Sequence, residues 1–242
     1  MKYIHTSLSN TGQKRFDNED ACGVYNIDNG LLCILCDGLG GNKAGEVASQ
    51  LTVETIERIF HKEKSIDYLE RLKFAVTEAN NLVHDKSSKE SELRGMATTA
   101  EAMYFKEDNV YWAHVGDSRI YMLRNGKLKQ LTKDHSLVQK LVDEGFLTLK
   151  EAENHPNKNV IMRALGDSPT IDIDLSKQKL HSRDDLKFFI CSDGVTSVVQ
   201  DSELEEILGN NDLNFISGSL SNIIEERGAP DNYTFIIIAK LK

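Results

Sequence analysis

Proline is scarce in this chain, with three residues, Pro156, Pro169 and Pro230, in 242. With so few, and with no Ser/Gly-rich stretch, nothing marks a linker, and the length predicts one domain over residues 1–242. Long hydrophobic runs are missing as well: stretches such as residues 235–239 fall far short of the roughly 20 apolar residues that a membrane helix needs. The N-terminus, Met1-Lys2-Tyr3-Ile4-His5-Thr6, turns polar at once and has no secretory apolar core, so the expected compartment is the cytoplasm. Cysteine is limited to positions 22, 33, 36 and 191, in a chain that is neither small nor disulfide-dense, and all four are expected to be reduced. Cys33 and Cys36 do form a C-x-x-C, but within an apolar run, residues 30–37, that reads as a buried strand. Residues three apart on a strand face opposite sides, which predicts packing and argues against a redox pair or a zinc clamp. Positive charge is in deficit: 29 Lys and Arg against 38 Asp and Glu leave a net charge of -9. That balance argues against a nucleic-acid binder, whose affinity comes from clustered Lys and Arg. An acidic protein that handles anions needs a local arginine or bound cations.

What is present is mixed periodicity. Helical spacing is clear over residues 45–60 and 66–84, which predicts two adjacent helices. Strands are predicted over 22–27, 31–36, 100–105, 110–115 and 119–123, with turns at Asp108-Asn109 and Asn125-Gly126. A short helix over 136–145 leads into a polar excursion through 159. Strands follow over 171–175 and 186–191, then helices over 201–208 and 213–226, then a last strand over 233–241. Hairpins followed by paired helices indicate an α+β fold, and no internal repeat appears.

The chemistry gathers at strand ends. Two apolar runs finish in Asp-Gly, at Asp37-Gly38 and Asp193-Gly194, which sets a carboxylate at the rim of a core. Asp117 ends another run, Asp231 precedes the last strand and Asp20 precedes an early one. Held close, five acids repel one another unless cations sit among them, and all-oxygen ligands suit Mg²⁺ or Mn²⁺ better than zinc. Asp-Gly is also an ordinary turn signal, so the residues alone leave turn chemistry and an acidic metal site both open.

Six motifs in order add to this: Arg15-Phe-Asp-Asn18-Glu19-Asp20, Asp37-Gly38-Leu39-Gly40-Gly41 before a helix, Gly95-Met-Ala-Thr98-Thr99, Val115-Gly116-Asp117-Ser118-Arg119, Ser192-Asp193-Gly194 and Asp231-Asn232. Together they closely resemble the PP2C family, the PPM-type metal-dependent protein Ser/Thr phosphatases, in its short bacterial form, from about Thr11 to the C-terminus. The resemblance implies two packed antiparallel β-sheets flanked by pairs of antiparallel helices, an α-β-β-α sandwich with its metal site in a cleft. It implies two Mn²⁺ or Mg²⁺ ions: Asp37 bridging both, the Gly38 carbonyl binding one, Asp193 and Asp231 completing the other, and Asp20 acting mostly through water. Glu19 would support a metal-bound water, and Asp117 is the candidate ligand of a third ion. Arg15 matches the family's phosphate-binding arginine, with a fork suited to bidentate contact.

The expected activity is hydrolysis of phosphoserine and phosphothreonine by direct attack of a hydroxide bridging the two metals, with no phosphoenzyme. Phosphorylated proteins are the expected partners, a bacterial Ser/Thr kinase among them; no nucleic acid or membrane is expected, and the chain is expected to be a monomer. Leu39 stands where many eukaryotic members carry a histidine proposed as general acid, so the leaving-group proton must come from elsewhere. Residues 136–159 correspond to the family's flap, the expected seat of selectivity. Three other signals fall away: the loop before the first helix lacks the glycine of a dinucleotide fingerprint at Lys43 and the Gly-Lys-Ser/Thr of a P-loop, Asp134-His135-Ser136 is contiguous and cannot form a triad relay, and Ile171-Asp-Ile-Asp-Leu175 alternates as a half-buried strand does. Two other functions compete, a silent metal-binding module and a phosphatase of small phosphoesters.

Overall fold

Strands whose successive residues are all buried must have both faces covered, and β-strand after β-strand in this chain is of that kind. The structure is a computed structural model and describes residues 2–40, 44–181 and 183–241. The first half contains β1 (Tyr3–Asn10), β2 (Ala21–Ile27), β3 (Gly30–Cys36), the short β4 (Gly38–Leu39), α1 (Ala44–Lys62) and α2 (Tyr68–Lys89). Next come β5 (Ala97–Thr98), β6 (Ala100–Lys106), β7 (Asn109–Val115), β8 (Arg119–Arg124), β9 (Lys127–Gln130), α3 (Leu137–Asp143) and α4 (Leu149–Glu153). The chain closes with β10 (Asp174–Lys179), β11 (Leu186–Cys191), α5 (Asp193–Thr196), α6 (Asp201–Leu208), α7 (Leu213–Glu226) and β12 (Tyr233–Lys240).

Ten strands form two antiparallel sheets, ordered β1-β12-β11-β8-β9 and β10-β7-β6-β3-β2, and β4 pairs with β5 apart from them. Alternation along each strand sorts side chains into three apolar layers. Cys33, Leu35, Met103 and Phe105 meet Ile120, Phe188, Ile190 and Ile236 between the sheets. The opposite faces carry Leu32, Ile34, Ala102 and Tyr104, covered by Val53, Ile56, Leu72 and Val76 of α1 and α2. On the other sheet Phe189, Cys191, Phe235 and Ile237 are covered by Leu204 and Leu208 of α6 and Ile216 and Leu220 of α7. The result is the α-β-β-α sandwich. Cys33 and Cys36 fall in different layers, and burial pushes both thiols well above their usual range, as expected of packing residues. Among the described residues all four cysteines are unpaired, and no helix is long and apolar enough to cross a membrane.

One polar pair lies in this interior. Glu101 of β6 and His114 of β7 are cross-strand partners, Oε1 to Nδ1 2.7 Å apart, and both are buried. Burial alone lowers His114, but the Glu101 carboxylate outweighs it and lifts the imidazole to about 9. Glu101→Ala would strand that charge, at a cost of about 3 kcal/mol, to be read as a lower midpoint in urea unfolding; an unchanged midpoint would mean that the imidazole is neutral there.

The structure departs from expectation over residues 171–175 and after Ser136, and it adds β1, β4, β5, β9 and α5, which were not expected. The strand expected over 171–175 begins at Asp174, because pairing is fixed by β7, where Asp174 lies opposite His114; Ile171 and Ile173 pack against the core before the ladder starts. The segment after Ser136 holds two helices. The Ser136 hydroxyl accepts from Gln139 N and opens α3, while a reciprocal capping box between Thr148 and Glu151 opens α4. Ser136 bridges Ile161, and the Met162 amide donates to the His135 carbonyl at 2.7 Å, so this flap leaves and rejoins the sandwich at one place.

Candidate metal centre

Antiparallel neighbours put the end of one strand beside the start of the next, and that rule gathers the acids. In β2 and β3 Ala21 lies opposite Cys36, so Asp20 and Asp37 flank the same end of the hairpin. In the other sheet Cys191 lies opposite Phe235, which brings Asp193 and Asp231 to one end of β11 and β12. Asp117 follows β7. The charges of Asp20, Asp193, Asp117 and Asp231 all act on Asp37, so five carboxylates from both sheets meet.

The electrostatics are those of crowded anions. Burial first, then Asp20 and Asp193, raise Asp37 well above the usual carboxylate range. Burial, against hydrogen bonds from Ser192 and Thr234, lifts Asp20 to about 7. Asp117 reaches about 7 through burial and Asp193. Burial and Asp231 raise Asp193, while a hydrogen bond with Asp37 works against them. Glu19 is raised by burial against the opposing Arg15 charge. Arg15 is half exposed and grips Asp231 with both prongs, Nε to Oδ1 and Nη2 to Oδ2, each at 2.8 Å.

Among the described residues no three His, Cys, Asp or Glu side chains stand as a finished ligand set. Asp231 is turned to Arg15, and Asp20 Oδ2 accepts from Ser192 Oγ at 2.7 Å. The donor chemistry nevertheless fits a hard divalent cation: only oxygens are offered, their mutual repulsion calls for positive charge, and Asp117 Oδ1 and Glu19 Oε1 are buried with no hydrogen-bond partner. Backbone approach is close at Gly38, where a Cβ would lie 2.3 Å from the Gly45 carbonyl oxygen and 2.4 Å from that of Glu19. No other residue fits there.

The acids rest on polar residues to which the sequence assigns no role. Thr99 Oγ1 accepts from the Asp37 amide at 2.9 Å, Thr98 Oγ1 donates to its carbonyl at 2.8 Å, and Thr99 continues to Ser118 beside Asp117. Asn232 is the buckle of the Arg15 loop: Oδ1 accepts from Glu19 N at 2.9 Å, and Nδ2 donates to the carbonyls of Thr11 and Asp17. Ser192 and Thr234 tie β11 to β12 beneath Asp20. Their polarity next to the acids was the available signal, but partners this distant in sequence meet only in the fold. The contiguous Asp134, His135 and Ser136 form no relay: Asp134 holds Arg119, His135 Nδ1 accepts from Gly116 N, and Ser136 caps α3. The loop considered for nucleotide binding includes residues 41–43, which lie outside the described residues.

Comparison with known proteins agrees with the sandwich fold. Residues 12–220 match the model of a family described as Protein phosphatase 2C. The chain is 35% identical over 235 residues to the serine/threonine phosphatase stp of Listeria monocytogenes, covering 95% of this chain and 92% of that one. It is 36% identical over 233 residues to the serine/threonine protein phosphatase PstP of Mycobacterium tuberculosis, covering 96% of this chain but 44% of the relative. Among solved structures, Stp1 from Staphylococcus aureus superposes with a TM-score of 0.93 at 32% identity, covering 100% of this chain and 96% of that one. The catalytic domain of PstP in complex with two manganese ions gives 0.88 at 33% identity, covering 99% of each.

Proposed function

Since this chain belongs to the protein phosphatase 2C family and is a metal-dependent phosphoprotein phosphatase, we propose that its crowded carboxylates hold two Mn²⁺ or Mg²⁺ ions and that it dephosphorylates Ser and Thr side chains in one step. Asp37 would bridge the ions, with the Gly38 carbonyl on one, Asp193 and Asp231 on the other, and Asp20 acting through water. Glu19 would orient a bound water, and Asp117, with its buried unpartnered oxygen, would serve a third, weaker site. The bound cations would supply water acidified toward neutral pH, available for direct attack on phosphorus. The observation that carries this reading is the meeting of Asp37 and Asp193, delivered by strands of different sheets, beside the exposed fork of Arg15.

Arg15 has two successive tasks in this scheme. Bonded to Asp231, it neutralises one carboxylate of the cluster; with Asp231 serving as a metal ligand, the same bidentate fork would be free for phosphoryl oxygens, whose charge it would stabilise during transfer. His114 is bonded at both ring nitrogens, to Glu101 and to the Lys133 carbonyl, so it is not offered as the proton donor that Leu39 cannot be. The scheme takes residues 1–242 as one catalytic domain, monomeric, working in the cytoplasm on phosphoproteins that include a Ser/Thr kinase and its targets. Four unpaired cysteines are in keeping with that compartment. Initial rates of phosphate release from a phosphothreonine peptide test the scheme: turnover with Mn²⁺ or Mg²⁺, abolished by EDTA and by Asp193→Ala, is expected. A folded, metal-loaded protein with no turnover would instead be a silent binding module.

A further inference from the structure

The loop between β1 and β2 is tied down at nearly every residue except its tip. Gly12 N donates to Asn10, Gln13 N to the Ala229 carbonyl, and Gln13 Nε2 to Glu225; on the far side Asn232 holds the Asp17 carbonyl and the Glu19 amide, and Asn18 reaches Ser9 at 2.8 Å. The tip is Lys14, Arg15 and Phe16, all exposed, with Arg15 alone of the three fastened, to Asp231. Phe16 is 101% exposed, the extreme among the large apolar residues described. A single exposed apolar side chain is ordinary on a protein surface. This one is held out by an anchored loop and directly follows in sequence Arg15, whose guanidinium faces the carboxylate cluster.

We infer that Phe16 is a specificity-determining residue: it takes up an apolar side chain next to the phosphorylated residue of the substrate. The inference rests on the proposed role of Arg15 at the phosphate. Consecutive Cα atoms are about 3.8 Å apart, and an extended peptide advances about 3.3 Å per residue. With phosphate at Arg15, side chains one or two positions from the phosphorylated residue pass within the reach of the neighbouring ring. A ring held clear of the protein offers both faces to such a side chain, at the low entropic cost of two side-chain torsions. A small phosphoester has no flanking residue, so the contact favours peptides over such substrates.

The test compares kcat/KM for two phosphothreonine peptides that differ only in the flanking residues, leucine in one and serine in the other. The wild type is expected to prefer the leucine peptide about tenfold, which corresponds to about 1.4 kcal/mol and to about 55 Å² of apolar surface removed from water at about 25 cal/mol per Å². Phe16→Ser is expected to bring the ratio close to one, and Phe16→Leu to keep part of it. The melting temperature should not change, because the ring packs on nothing. An unaltered ratio in Phe16→Ser, or a wild type indifferent to the flanking residues, overturns the inference. An equal loss on both peptides also overturns it, by showing that the substitution damages phosphate binding itself. A wild type inactive on both peptides would instead remove the phosphatase reading on which this one stands.

Discussion

Asp37→Asn is expected to lower metal-dependent turnover about 1,000-fold or more and, in the same molecule, to raise the stability of the metal-free protein. The activity loss follows from removing the proposed bridging charge from a site whose work is electrostatic. The stability gain follows from the crowding around Asp37, whose carboxyl is pushed well above its usual range by burial and by four neighbouring acids. A group that must take up a proton or endure repulsion in the folded state, but not in the unfolded one, costs the folded state stability. Asn keeps the shape and drops that cost. Rates of phosphate release and urea unfolding in EDTA read the two effects side by side. Loss of activity together with loss of stability would mark Asp37 as a structural residue and remove it from the ligand set.

Chelation is expected to destabilise the protein far more at pH 8 than at pH 5.5. Asp20 and Asp117 both have folded-state values of about 7 against an ordinary 3.8. As pH rises between those limits the unfolded chain releases its protons first, so the folded state carries more of them and the metal-free protein loses stability with rising pH. One such group amounts to about 4 kcal/mol over the whole window, and the shared repulsion keeps the two from adding fully. Cations reverse the slope, because they bind the ionised form. Each ion at about 100 times its dissociation constant returns about 2.7 kcal/mol, so two add about 5 kcal/mol. Thermal melts in EDTA and in Mn²⁺ at the two pH values check this; a metal-free protein as stable at pH 8 as at pH 5.5 would mean that the carboxylates are not crowded together.

The parts legible in the sequence are those with a strong apolar period. The helices over 201–208 and 213–226 have the boundaries expected of them, and β11 matches its expected run residue for residue, since each must bury one face or both. Two edge strands were not among those expected. β1 and β9 lie at the two edges of one sheet; β1, with a sequence Tyr-Ile-His-Thr-Ser-Leu-Ser-Asn that is largely exposed, is held by its backbone ladder to β12, a partner more than 200 positions away that no local pattern can announce. The same holds at the metal centre. Acids at strand ends could be read from the chain, but the clasp of Asn232 on the Arg15 loop and the support of Asp37 by Thr98 and Thr99 exist only once the strands are paired. α5, a single turn starting at Asp193, was too short to rise above a turn signal.

The closure of the flap at Ser136 and Ile161 separates two inheritances. Everything between those residues belongs to an excursion whose departure and return are fastened to each other and, through His135, to the residue before Asp117. Closing a loop costs little more when it is longer, so residues there can be replaced, added or lost without shifting the register of any strand in either sheet. Any preference the excursion were to carry would then be free to diverge, or to be grafted from one protein to another, while the carboxylates beneath stay as they are.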